Sequence, residues 1–331
     1  MIRLSSNENC YGCSKKVSAA IKIKHAGAFS YPEMNPVLLK EKLAEKFSVK
    51  IDNIVLGAGS VSLIDGLIQT FVGSDQEIIT FDKSFVAYGL LSSFHGRKCK
   101  FAPLSALRCL PDNLLPFINK KTGLIFIANP NNPTGTIIHK KEIIKFMNAI
   151  SKNILVVLDE AYAEYAADAD FPNTIQIQKR FSNLIILRSF SKIYGLAGLR
   201  IGYGIMHHEL ASKMISRQIP HSLNYLAADT AIKALEDKEF VSSCAARNSE
   251  QRDYLFKSLI KLGYHTCKSY ANFIYLWFDS EDEKLRVYNT LLENHIQICD
   301  LRSFHQEKSL RITVGTNKVN HEIINILKKL E

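Results

Sequence analysis

The stretch "RSFSKIYGLAGLRIGYG", Arg188 to Gly204, decides how this chain is read. It follows the apolar run Asn183-Leu-Ile-Ile-Leu187, which has the length and composition of a buried strand. Lys192 therefore stands in a serine- and glycine-rich turn just past a strand end, eight positions before Arg200. A lysine in a solvated loop needs no such setting. A lysine that forms a covalent imine beside a bound phosphate does, and this segment alone leaves both readings open.

Working outward, the 331 residues suffice for one large domain and a smaller one. With 47% hydrophobic and 22% charged residues the composition is that of an ordinary globular protein. No apolar run reaches the ~18 residues of a membrane span. "MIRLSSNENC" lacks the apolar core of a signal peptide, so a cytoplasmic location is expected. The net charge of +10 comes from lysines scattered in segments such as "KKVSAAIKIK" and "IIHKKEIIK". With no dense basic block and no nucleic-acid motif, the charge suits small anionic substrates rather than nucleic acid. Seven cysteines include one C-x-x-C, Cys10 and Cys13, without a second pair at zinc spacing. Reduced thiols and no metal are expected.

Between residues 37 and 216 helical and strand-like segments alternate. "VLLKEKLAEKF", "SVSLIDGLIQTFV" (with Ser60 as N-cap), "SFVAYGLLSSF" and "KKEIIKFMNAI" read as helices. "NIVLG", "EIITF", "GLIFIA", "NILVVLD" and "NLIILRS" read as strands. Strands that are apolar throughout and alternate with helices predict an α/β fold with a mostly parallel sheet covered on both faces. After Pro220 the pattern becomes α+β: long helical material ending at Gly263, then "NFIYLWF", a helix over "SEDEKLRVYNTLLENH", "IQIC", "SLRITV" and a last helix.

In an open parallel sheet, ligands bind at the carboxyl ends of the strands. Four segments of distinctive chemistry fall there: "VLGAGS", "IANPNNPTG", "VVLDEAY" and "RSFSK". The first opens a helix at Ser60, an anion-binding arrangement that Ser189, Ser191 and Arg200 could complete, or a plain βα turn. Asp159 ends an apolar strand, where a buried carboxylate requires a partner. That partner could be a cationic ring nitrogen kept protonated as an electron sink, or Asp159 could be an ordinary helix cap. A lysine carrying such a cofactor would, once displaced by an incoming amine, be free to move a proton.

The ordered set "NPNNPTG", "DEAY", "SFSK" and "GLRIGY" resembles the fold-type I, class I/II pyridoxal-phosphate aminotransferases. Asp159 precedes Lys192 by 33 residues, as in that superfamily. Within it, "LSSNEN-YG", "YPEMNPVLLKEKLAEKF" and "LRITVGT" resemble histidinol-phosphate aminotransferases, and the likeness covers nearly the whole chain. The resemblance implies a large domain, 27–230, that binds pyridoxal 5'-phosphate, and a small α+β domain of 1–26 plus 231–331. It makes Lys192 the Schiff-base lysine and Asp159 the partner of the pyridine nitrogen. Asn132 and Tyr162 bind the ring oxygen, and Phe85 stacks on the ring where a tyrosine is usual. Ser60, Ser189, Ser191 and Arg200 bind the phosphate. Tyr31 reaches the phosphate held by a neighbouring subunit, which implies a homodimer with shared active sites. Arg311 grips the substrate carboxylate, with Tyr11 and Asn7 as further substrate-binding candidates.

Two departures concern the substrate. "GAGS" continues as Val61-Ser62 where acidic residues are usual, and Cys299 stands where the family has an arginine that helps bind substrate phosphate. Losing that donor is worth roughly 1.5–3 kcal/mol in a buried site. Arg302 is a possible substitute. The expected activity is transfer of an amino group between histidinol phosphate and 2-oxoglutarate. The alternatives are an aminotransferase for another or an aromatic amino acid, a threonine-phosphate decarboxylase-like lyase, and a non-catalytic binding protein of the same fold.

Overall fold

The computed structural model describes residues 1–27, 29–166 and 171–330. Among the described residues twelve strands form two sheets: β1 (Ile2–Leu4), β2 (Ile54–Gly57), β3 (Glu77–Phe81), β4 (Lys98–Ala102), β5 (Thr122–Ala128), β6 (Leu155–Asp159), β7 (Leu184–Ser189), β8 (Gly202–Ile205), β9 (His265–Thr266), β10 (Phe273–Trp277), β11 (Ile296–Asp300) and β12 (Ser309–Thr313). The larger sheet has the order β2-β8-β7-β6-β5-β3-β4. All neighbours from β4 to β7 are parallel, while β8 runs antiparallel to both β7 and β2.

Burial on both faces explains why its strands lack alternation. Leu124, Phe126 and Val157 pack with Ile64, Leu67 and Tyr88 on one side. Ile125, Ile127, Val156 and Leu158 pack with Ile143, Phe146 and Met147 on the other. Successive residues must then all be apolar, and each large one contributes about 1.5–3 kcal/mol. The helix over Ser60–Phe71 forms as expected, but Gly59 occupies the cap and no side chain bonds there, so Ser60 is the first helical residue.

The smaller sheet has the order β1-β11-β12-β10-β9. β1 pairs in parallel with β11, bringing the first residues of the chain beside the last strands, and the other pairs are antiparallel. Ile274, Leu276, Ile298, Leu310 and Ile312 face helices Lys238–Lys261, Glu281–Glu293 and Asn317–Leu327. Residues of the opposite parity therefore face the other way. Tyr275, Arg311 and Cys299 stand abreast on that face, paired in register across β10, β12 and β11. The long helical stretch after Pro220 divides at Asp237, whose carboxylate accepts the N–H of Phe240 and caps the second helix. No helix is long and apolar enough to cross a membrane among the described residues.

Candidate active site

The carboxyl ends of β5, β6 and β7 and the turn after β2 meet at a cavity of about 230 Å³, closed on its far side by Arg311 of β12 and Phe304. Lys192 projects into it past the end of β7, and its Nζ donates a hydrogen bond to the Ser6 carbonyl at 2.9 Å. The same Nζ lies 5.6 Å from the centre of the Tyr162 ring. The Tyr162 hydroxyl accepts from Asn7 Nδ2 at 3.0 Å, and Asn7 is held by Thr313 and Asn272 in a left-handed backbone conformation.

Asp159 is buried at the cavity floor. Tyr88 Oη donates to its Oδ2 at 3.0 Å and the Ala161 N–H to its Oδ1 at 3.2 Å. Both donors are neutral. Desolvation pushes the carboxyl up to about 6, and the Tyr88 hydroxyl, the Ala161 amide and the Lys192 charge offset this only in part. Behind it, Arg188 forms a buried clamp with Glu160 (Nη2 to Oε2, 2.6 Å) and Glu164 (Nη1 to Oε1, 3.3 Å), tying β7 to the segment after β6. Phe85 lines the cavity beside Tyr88, the two rings meeting edge to face at 5.6 Å.

At the opposite end the Ser191 N–H donates to Ser189 Oγ (3.0 Å), and Arg200 Nη1 donates to Ser191 Oγ (3.3 Å) and the Ala197 carbonyl (2.9 Å). The helix starting at Ser60 points its free N–H groups at the same place. Two glycines keep this cradle open. A Cβ on Gly59, at φ +81°, would strike the Arg200 guanidinium, and one on Gly202 would lie 2.7 Å from the Ser60 nitrogen. On the far wall Arg311 Nη1 donates to Asn132 Oδ1 and Nη2 to the Ser5 carbonyl, leaving its buried Nε without a partner.

These residues fit pyridoxal phosphate. The glycine-lined cradle offers a hydroxyl, a guanidinium and helix N–H groups to a phosphate. The buried acid, raised by desolvation, suits a ring nitrogen that carries a proton. Lys192 lies between the two.

Of the residues proposed from sequence, Tyr11 and Tyr31 stand off the cavity in the single chain. Tyr11 lies under the Arg247 guanidinium, 5.3 Å from its ring centre, and Tyr31 is exposed against His221 at 5.0 Å. Cys299 stands beside Arg311 on the same face of the small sheet, packed against Tyr275, Leu301 and Phe304, and does not line the cavity. Arg302 does not replace the missing arginine: it is exposed, and its Nε donates to Asp300 Oδ2 at 2.8 Å. Tyr88, Ser6, Phe304 and the Arg188 clamp were not foreseen. Tyr88 follows Phe85 by three positions at the start of a helix, a spacing that puts both on one side.

The profile of the family "aminotransferase class I and II" matches residues 1–327. The chain is 37% identical over 327 residues, 98% of its own length and 90% of the relative's, to histidinol-phosphate aminotransferase 2 of Carboxydothermus hydrogenoformans. Among solved structures, the histidinol-phosphate aminotransferase from Clostridium acetobutylicum superposes with a TM-score of 0.90 at 27% identity, covering 100% of this chain and 99% of that one. That from Sinorhizobium meliloti, solved in complex with pyridoxal-5'-phosphate, shares the fold at a TM-score of 0.91 and 23% identity, over 100% and 92% of the two chains. A match of this extent, on a chain whose cavity brings Lys192, Asp159 and Arg200 together, establishes that the chain belongs to the class I and II aminotransferases.

Proposed function

We propose that this aminotransferase moves the amino group between L-histidinol phosphate and 2-oxoglutarate, giving imidazole acetol phosphate and glutamate. The observation that carries the reading is one cavity holding Lys192, Asp159 and the Arg200 cradle, with Arg311 across from them. Relatives bearing the histidinol-phosphate aminotransferase name match it from end to end.

Pyridoxal phosphate supplies, when bound, an electron sink for the bonds at the substrate's α-carbon. The protein's residues do the rest. Asp159, ionised, would pair with the ring nitrogen and keep it protonated. The first N–H groups of the helix that opens at Ser60, with Ser189, Ser191 and Arg200, would hold the phosphate. Tyr162 Oη and the Asn132 amide would donate to the ring oxygen, the Asn132 carbonyl being already engaged by Arg311. Phe85 would cover a ring face. Lys192 Nζ, once free of the Ser6 carbonyl, would take the proton from the substrate's α-carbon and return it two bonds away, on the far side of the amino nitrogen. The two Nη groups of Arg311 grip the anionic group of each substrate in turn. Asn132, Asp159, Tyr162 and Arg311 are buried, which strengthens the charge interactions they make.

We read the active form as a homodimer with shared sites. An exposed apolar strip of Phe29, Tyr31, Met34, Val37 and Leu38, with Ile219 nearby in sequence to His221, supports it. Seven free thiols suit a reducing, cytoplasmic setting. We divide the chain into the large unit 27–230 and the small unit 1–26 plus 231–331, in keeping with the two sheets. The test is a single-turnover spectral titration of the yellow holoenzyme with L-histidinol phosphate, glutamate, phenylalanine and O-phosphothreonine. Conversion to the pyridoxamine form by histidinol phosphate and glutamate is the expected result. Loss of carbon dioxide from O-phosphothreonine, or conversion by phenylalanine but not histidinol phosphate, would replace the proposal.

A further inference from the structure

The net charge of +10 is spread along the chain, but the fold gathers part of it in one place. β2 and β7 begin, and the antiparallel β8 ends, at the edge of the large sheet opposite Lys192. At that edge residues from 48–53, 178–182 and 207–208 wall a cleft of about 590 Å³. Lys50, Lys179, Arg180, His207 and His208 line it, and among the described residues no carboxylate does. Glu209 lies 3.8 Å from His207 Nδ1 but is no part of the wall. The length of β7, at roughly 3.3 Å per residue, separates this cleft from the cavity that holds Lys192.

Like charges drawn together from three segments repel, and folding gains nothing from their meeting. The helix His208–Ile215 opens at the cleft without a side-chain cap, so its first N–H groups add to the positive field. His207 and His208, with ring centres 4.3 Å apart, take its cap and first position, where hydroxyl or acidic side chains are favoured. Gln178 supplies an independent observation. It is only 7% exposed and lines the cleft, and among the described residues its side-chain amide has no hydrogen-bond partner. A polar group so deeply set is rarely left unpaired. Its NH₂ can donate to an anion seated among the cations. We infer that the cleft binds a small phosphate compound carrying several negative charges. Arg180 offers a two-pronged grip, Lys50 and Lys179 add point charges, and Gln178 donates from the floor. The volume is that of a small-molecule site, roughly 300–1,000 Å³. This site goes beyond the aminotransferase reading and does not depend on it.

The test is calorimetric titration of the holoenzyme, whose own phosphate cradle is filled, with ATP, inorganic triphosphate and inorganic phosphate. Salt is held at about 0.15 M, without divalent cations. ATP and triphosphate are each expected to bind at least about tenfold tighter than phosphate, because each reaches more than one cation. Tighter binding of ATP than of triphosphate identifies a ligand with an organic body, and the reverse identifies the phosphate chain alone. The double variant Lys179→Ala/Arg180→Ala is expected to weaken both at least about tenfold. Gln178→Leu, which keeps the side chain's size, is expected to weaken them about three- to tenfold. Lys120→Ala, which removes an exposed cation elsewhere, is expected to change neither. Yellow absorbance and turnover like the parent's verify that each variant is folded, and the double variant alters exposed side chains only. Failure of the parent to bind ATP or triphosphate overturns the site. So does unaltered affinity in either folded cleft variant, or a loss as large in Lys120→Ala, which would mark general charge attraction.

Discussion

Asp159→Asn separates the demands of folding from those of function. The carboxyl is held at about 6 by burial, whereas an unfolded aspartate ionises near 3.9. Without the cofactor, its contribution to stability is fully present below about pH 3.9 and lost as pH rises through about 6. Two pKa units at about 1.4 kcal/mol each set the swing at about 3 kcal/mol. Asparagine never ionises, but its NH₂ must face one of the two donors that now serve Asp159, Tyr88 Oη or the Ala161 N–H, at a pH-independent cost of about 1–2 kcal/mol. The apo variant is therefore expected to be less stable than the parent near pH 4 and more stable near pH 7.5. For a chain of this length the unfolding entropy of about 0.7 kcal/mol/K turns the swing into about 4 °C of relative Tm. The assay is calorimetry of both apoproteins across that range. A Tm difference that stays flat with pH would refute the argument that burial, unrelieved by a cation, dominates at this carboxyl. With pyridoxal phosphate added the order should reverse at neutral pH, because the parent gains a buried ion pair and the variant cannot.

Lys192→Ala should abolish the yellow absorbance and turnover together, and a protein that stays yellow with an unchanged spectrum would remove the assignment. Gly202→Ala, which drives a methyl against the Ser60 nitrogen, should weaken cofactor retention at least about tenfold by equilibrium dialysis, as expected when an anion loses a charge-assisted donor. Arg311→Ala should lower kcat/KM for every anionic substrate by about 10- to 100-fold, the cost of a charged hydrogen bond, while the cofactor spectrum persists. Tyr31→Ala should speed cofactor loss if the residue serves a neighbouring subunit, and mixed dimers with Lys192→Ala chains would reveal sharing by partial rescue.

The large sheet was legible because burial on both faces leaves an unmistakable sequence: runs such as "LIFIA" and "ILVVL" admit no polar residue. Lys192, Asp159 and Arg200 were legible for a related reason, since each breaks an apolar or glycine-rich context that has no structural use for a charge. β4 escaped notice because it is an edge strand, where Lys98 and Lys100 face Glu77 rather than core. β8 escaped because glycines dominate it, and it is the antiparallel strand that a purely parallel pattern cannot foretell. Tyr88 and Ser6 were invisible for different reasons. A tyrosine in a helix resembles core until its hydroxyl is seen at a carboxylate. A backbone carbonyl carries no side-chain signature at all. The orientation of Arg311 relative to Cys299 needed strand register, which composition does not encode.

The segment Ser5–Asn7 meets Arg311 and Thr313 across 306 positions of chain, and Lys192 and Tyr162 across more than 150. Contacts so distant in sequence are the slowest to form, because the entropy of closing the intervening loop precedes any gain. The parallel sheet, with its shorter connections, can assemble earlier, but the cofactor pocket lacks its far wall until β12 has joined β1's neighbour β11. On a ribosome that means Ser5–Asn7 wait, without these partners, until β12 has emerged. Assembly of this enzyme's site is thus a late event in its synthesis: Ser5–Asn7 and β12 must meet before there is a complete site to load.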